Sequence, residues 1–185
     1  TIELEPNNVG ALFARGTVKS KLEDFTSSSV DFSRVIDLTP KSPSAYAGRG
    51  YAKLKLNDFT SAVADYSKSI ELKPEDAESF YSRGFARSKL EKYEEAISDF
   101  DQAIRLDPQN HRAYYGRGFC KSKLGSQREA ISDLNKAVEI NNTPTDTKVV
   151  YSGSINRSIL DQLREVVQEK NKINELSTER SEAFF

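Results

Sequence analysis

Four arginine-glycine pairs, Arg15-Gly16, Arg49-Gly50, Arg83-Gly84 and Arg117-Gly118, stand 34 residues apart along a chain of 185 residues. Each lies in a similar stretch: FARGTVKSKL from Phe13, AGRGYAKLKL from Ala47, YSRGFARSKL from Tyr81 and YGRGFCKSKL from Tyr115. A fixed period kept over four copies restricts the chain to architectures that stack one small structural unit on the next. Within each copy two stretches with apolar residues at helical spacing flank a short polar turn, LED, LND, LEK or LGS. The copies close on Pro40, Pro74, Pro108 and, displaced by two residues, Pro144. Proline cannot continue a helix, so the period reads as a repeated helix-turn-helix.

The expected repeats are residues 9–42, 43–76, 77–110 and 111–144. Residues 1–8 match the end of a preceding repeat, and 145–185 are expected to form a C-terminal amphipathic helix and tail. Because the chain opens mid-pattern and without methionine, its native N-terminus is expected to be missing, which leaves a targeting signal open.

The pattern resembles the tetratricopeptide repeat family, which has this period and sets an aromatic, a small residue, alanine, an aromatic and proline at defined points. The third repeat matches with Phe80, Gly84, Ala96, Phe100, Ala103 and Pro108, and the second with Tyr46, Gly50, Ala62, Tyr66 and Pro74. The first departs at Ser28, where alanine belongs, and the fourth at Leu134 and Asn142, which replace the aromatic and the proline. The resemblance covers roughly three quarters of the chain. It implies an all-α, right-handed superhelical solenoid of antiparallel helix pairs, to which the C-terminal helix would add a cap.

Each recurrent glycine should cost a helix roughly 1 kcal/mol relative to alanine. Close packing of the aromatic from the neighbouring helix against bare backbone is expected to offset this. Gly48 and Gly116, present in two repeats only, are expected to thin the inner surface of the array. Each arginine is followed 16 residues later by an aspartate, giving Arg15 and Asp31, Arg49 and Asp65, Arg83 and Asp99, and Arg117 and Asp133. The recurrence predicts structural ion pairs, within a repeat or between repeats, in preference to a row of arginines for phosphate, whose field the aspartates would cancel.

In the resembled family the first helix of each repeat lines a concave surface. Helical spacing assigns to that surface Phe13 and Thr17, Tyr51, Tyr81 and Phe85, and Tyr115 and Phe119, with Lys21, Lys55, Lys89 and Lys123 following on the same side. An aromatic groove edged by lysine suits a protein or peptide partner with apolar anchors and acidic residues. The competing reading leaves the aromatics as repeat packing and the lysines as solubilising residues. The family's clamp for chaperone carboxylate tails would fall on Phe13, Thr17, Gly48, Glu78 and Ser82, or one repeat later on Ala47, Tyr51, Ser82, Arg112 and Gly116. Only Arg112 has suitable chemistry, so a chaperone tail is not expected.

The expected function is a non-catalytic protein-binding scaffold or adaptor. A structural subunit of a larger assembly, joined by its ends and C-terminal helix, is the alternative, and single-strand RNA binding ranks below both. A formal net charge of -1 gives no general attraction to nucleic acid or anionic lipid. GRGYAK and GRGFCK lack the third glycine and the preceding strand of a dinucleotide loop. His111 and Cys120 are the only histidine and cysteine. They leave no metal cluster or catalytic constellation, and neither cofactor nor enzymatic activity is expected. The lone cysteine suits a reducing compartment, so a cytoplasmic location is expected, and no stretch is long and apolar enough to span a membrane. Within 154–176 the apolar face of Ile155, Ile159, Leu163, Val166 and Ile173 would cover the last repeat, or would form the seam of a homodimer.

Overall fold

The computed structural model describes residues 7–142. They form eight helices: α1 (Val9–Lys21), α2 (Phe25–Leu38), α3 (Pro43–Lys55), α4 (Phe59–Leu72), α5 (Ala77–Lys89), α6 (Tyr93–Leu106), α7 (His111–Lys123) and α8 (Gln127–Asn142). No strand occurs among the described residues, and the fold is all-α. The odd-numbered helices begin at residues 9, 43, 77 and 111 and repeat the 34-residue step. The described residues fall into two compact parts, one up to Gln109 with α1 to α6 and one from Asn110 with α7 and α8. The cap or dimer seam expected over 154–176 lies outside the described residues.

Local chemistry sets the helix boundaries. Asn8, Asp24, Ser42, Asp58 and Asn110 are N-caps whose side chains accept a hydrogen bond from the amide three residues on. Each turn inside a repeat uses one left-handed residue, Glu23, Asn57, Glu91 or Gly125, with φ of 62°, 61°, 60° and 83°. That conformation reverses the chain in three residues, and only Gly125 adopts it without a side-chain penalty.

In the first part, helices pack against their neighbours in sequence: α1 on α2, α2 on α3, α3 on α4, α4 on α5 and α5 on α6. First helices also touch one another, α1 with α3 and α3 with α5. One core cluster joins Leu12, Val35, Ile36 and Ala45, and a second joins Ala62, Tyr66 and Ala86. The recurrent glycines sit at the crossing of each pair. A Cβ at Gly16 would lie 3.4 Å from the ring of Phe32, at Gly50 3.2 Å from Tyr66 and at Gly84 3.1 Å from Phe100. In α7·α8 Leu134 takes the aromatic's place, 3.0 Å from a Cβ at Gly118. Ser28, the departure in the first repeat, is fully buried and satisfies its hydroxyl by donating to the carbonyl of Gly16 at 2.9 Å.

Gly48 plays a different part from the one expected of it. A Cβ there would stand 2.6 Å from the Phe32 ring, which belongs to the preceding repeat. Gly48 therefore does not thin an inner surface; it seats an aromatic between α2 and α3.

Candidate functional site

The first helix of each repeat carries an arginine–aspartate contact, and most also carry partly exposed aromatics. Every arginine reaches its own repeat's aspartate. Nε of Arg15, Arg49, Arg83 and Arg117 donates to Asp31, Asp65, Asp99 and Asp133 at 2.8, 2.9, 3.0 and 2.8 Å, while Nη2 donates to the second carboxylate oxygen. This bidentate geometry makes each bond charge-assisted and directional. All four aspartates are buried. The guanidinium also lies over the aromatic three residues earlier, 5.7 Å from Tyr46, 5.6 Å from Phe80 and 5.4 Å from Tyr114 for Arg49, Arg83 and Arg117.

One arginine to one aspartate is not the full stoichiometry. Lys19, Lys53, Arg87 and Lys121, four residues after each arginine, approach the same carboxylates at 2.9, 2.8, 2.7 and 3.0 Å. Each aspartate thus holds two cations, and the expected cancellation of charge is incomplete. Glu95 and Glu129 restore the balance at Arg87 and Lys121, both at 3.2 Å. These second cations recur with the same 34-residue period, so the signal was present in the sequence. Also unforeseen was the third use of the arginine: Nη1 of Arg49 and Arg83 donates to Ser33 and Ser67 on the preceding second helix at 3.2 and 3.0 Å. Each arginine thus joins the two helices of its own repeat, and Arg49 and Arg83 also reach the preceding repeat.

The aromatic strip is more mixed than helical spacing suggested. Phe13 is half-buried, edge-on to Phe32 at 5.3 Å, and Thr17 donates its hydroxyl to the Phe13 carbonyl. Tyr81 is half-buried between Phe85 at 6.5 Å and Phe100 at 6.0 Å. Phe13 and Tyr81 therefore serve their own repeats' packing as well as the surface. Tyr51 is 42% exposed and meets Phe25 edge-on at 6.1 Å, and Phe119, in the second part, is 40% exposed. Tyr115 is half-buried there. Lys21, Lys55, Lys89 and Lys123 are all exposed. Three ammonium groups stand over the aromatic one turn earlier: Lys55 over Tyr51 at 5.6 Å, Lys89 over Phe85 at 5.2 Å and Lys123 over Phe119 at 5.5 Å. Lys21 follows Thr17, which offers no ring.

Cys120 is fully buried, and burial pushes its thiol up to about 11. A thiol so protonated is a packing group and a poor nucleophile. Burial, and then the charge of Arg112, lower the pKa of His111. Among the described residues no group of three side chains could hold a metal ion, and no helix is long and apolar enough to cross a membrane.

Tetratricopeptide repeat models match residues 77–110 and 111–144, and a further TPR repeat model matches 50–91. The chain belongs to the tetratricopeptide repeat family. No curated protein sequence matches it significantly. Among solved structures, this tetratricopeptide chain is similar to MamA residues 41 to the end from Desulfovibrio magneticus RS-1, with a TM-score of 0.73, 23% identity and coverage of 79% of this chain and 82% of that one. It is similar to the first TPR of Spaghetti (RPAP3) bound to the HSP90 peptide SRMEEVD, with a TM-score of 0.62, 24% identity and coverage of 63% and 93%. A third similar structure is YrrB, described as a TPR protein with an unusual peptide-binding site, with a TM-score of 0.67, 20% identity and coverage of 76% and 72%. These likenesses establish the solenoid-type fold. Repeat proteins of this family act in general as scaffolds for protein interaction.

Proposed function

We propose that the chain is a non-catalytic adaptor that holds a peptide or helical segment of a partner on the aromatic and lysine residues of its first helices. The observation that carries this reading is the recurring pair of partly exposed aromatic and overlying lysine, Tyr51 with Lys55, Phe85 with Lys89 and Phe119 with Lys123. The ring offers a rigid apolar anchor at low entropic cost. The ammonium held above it is already positioned for a carboxylate. Together they favour a segment with apolar side chains flanked by Asp or Glu. The acidic peptide held by the similar Spaghetti domain supports the same ligand class. The absence of clamp chemistry at Phe13, Thr17, Gly48, Glu78 and Ser82 argues against recognition of a free chaperone carboxylate here. The pairing of each arginine with a buried aspartate counts against RNA binding through that row.

The test is selection of binders from a displayed peptide library against the full chain, followed by calorimetry. Acidic peptides with apolar anchors should be enriched. Tyr51→Ala combined with Phe85→Ala should weaken them by about 2 kcal/mol, roughly 30-fold, with helical content kept. Unchanged affinity in the folded double variant would place the site elsewhere.

A further inference from the structure

On three of the first helices an aromatic ring is covered by the lysine one turn later. The ammonium of Lys55 lies 5.6 Å from the ring centre of Tyr51, that of Lys89 lies 5.2 Å from Phe85 and, in the second part, that of Lys123 lies 5.5 Å from Phe119. These lysines differ from the second cations of the aspartates. Lys53 and Arg87, two residues earlier in α3 and α5, are held by Asp65 and Asp99, whereas Lys55 and Lys89 are exposed and have no carboxylate partner among the described residues. Further contacts to the rings come from Phe25, edge-on to Tyr51 at 6.1 Å, and from Tyr81, 6.5 Å from Phe85. A ligand side chain that stacks on the covered face must therefore displace an ammonium. The attraction of an ammonium to a ring is weak at an exposed site, and a charge-assisted hydrogen bond to a carboxylate is stronger. In α1 the position of the aromatic is taken by Thr17, which leaves Lys21 without a ring of this kind.

We propose that Lys55 and Lys89 gate the aromatic strip and set its specificity: a carboxylate of the partner draws each ammonium off its ring, and the uncovered face then takes the apolar side chain beside that carboxylate. The gate rests on the reading of the strip as the partner site. It makes the acidic and the apolar requirement one requirement at each ring. An apolar segment without Asp or Glu meets rings that are still covered, and an acidic segment without apolar residues frees the rings but puts nothing on them. The segment selected is one in which each anchor stands next to a carboxylate. Were the lysines merely attractive charges, removing them would weaken acidic ligands and leave neutral ones as they were. A gate has the opposite signature for a neutral apolar ligand, whose binding improves once the ammonium is gone.

The probes are two fluorescent peptides, one of repeated Asp-Phe-Ser units and one of repeated Asn-Phe-Ser units, whose anisotropy is followed on titration with the full chain. The native chain is expected to prefer the acidic peptide. With Lys55→Ala and Lys89→Ala combined, the acidic peptide should weaken, while the neutral peptide should bind about 5-fold tighter or more, because each ring loses a cation that holds it back by about 2- to 5-fold. Both lysines are exposed, so circular dichroism of the variant should match that of the native chain. Proton resonances give a second readout on the native chain. Ring currents should place the ε-methylene protons of Lys55 and Lys89 upfield of those of Lys21, and the acidic peptide, unlike the neutral one, should return them to the Lys21 value. Unchanged affinity of the neutral peptide in the alanine variant, or lysine signals that stay upfield in the acidic complex, would overturn the gate. If Tyr51→Ala with Phe85→Ala still abolishes binding of the acidic peptide, the strip remains the partner site and the gate alone falls. An acidic peptide that fails to bind at about 1 mM, or binds regardless of the two rings, would overturn the strip reading and the gate with it.

Discussion

Asp99 accepts from Arg83 and from Arg87, and this asymmetry decides what each substitution costs. Asp99→Ala strands two half-buried guanidinium groups and should destabilise by about 3 to 5 kcal/mol. Arg83→Ala leaves Arg87 to neutralise the carboxylate and should cost about 1 to 3 kcal/mol. A double-mutant cycle in urea checks both, and strict additivity would contradict the pairing. Arg87 brings a defect of its own, because its Nε is buried without a hydrogen-bond partner. Lys121, at the same position in α7, reaches both its carboxylates without such an atom. Arg87→Lys is therefore expected to be neutral or to stabilise by up to about 1 kcal/mol, read as the urea midpoint. Acid is a further probe at this scale. Burial raises the pKa of Asp31, but hydrogen bonds from Arg15 and Lys19 outweigh it and hold the group below the ordinary carboxylate value. A depressed folded pKa contributes stability that is complete above the unfolded value of about 4 and is lost as pH falls through the folded one. Midpoints measured from pH 7 to 2 should fall in that acid window, and less steeply in Asp31→Asn.

At the scale of the helix, glycine has opposite meanings at two positions. Gly48 lies inside α3, where alanine would favour the helix by about 1 kcal/mol. Its Cβ, however, would stand 2.6 to 2.8 Å from three atoms of the Phe32 ring, which is itself buried. Overpacking of that kind costs about 1 to 3 kcal/mol, so Gly48→Ala should be destabilising. Gly10 in α1 has only Asn8 Oδ1 near its would-be Cβ, at 3.5 Å. Gly10→Ala should stabilise by up to about 1 kcal/mol. Thermal melts of the two variants should move in opposite directions, and a shared sign would refute the argument. Helix boundaries and caps were legible locally, because Ser42 or Asp58 ahead of an apolar periodic run signals its role within a few residues. The Gly48 contact was not: its partner lies in another repeat, and one-dimensional spacing gives a glycine no address.

Across the first part every second-helix contact joins neighbours in sequence, and stability in such arrays is close to a sum of nearest-neighbour terms. Among the described residues α3 and α4 are packed on both sides, whereas α1 meets α2 and part of α3. Native-state hydrogen exchange should therefore find lower protection in α1 than in α3, following local rather than global opening. Equal protection in the two would show that the six helices open as one unit.

The sequence by itself determined the repeat length, the helix pairs, the arginine–aspartate matches and the family. Each of these is a periodic or short-range pattern, and four copies average away the departures at Ser28 and Leu134. The second cations at Lys19, Lys53, Arg87 and Lys121 were equally periodic, but lysine at exposed helical positions is so common that recurrence alone does not distinguish a ligand of Asp31 from a solubilising charge. Only the tertiary structure decided how the aromatics divide. Helical spacing puts Phe13 and Tyr81 on the same ridge as Tyr51, one turn apart in the repeat, yet the first two pack on Phe32 and Phe100 while Tyr51 stays open under Lys55. Which ring is covered is set by the neighbour in space, which local sequence does not encode.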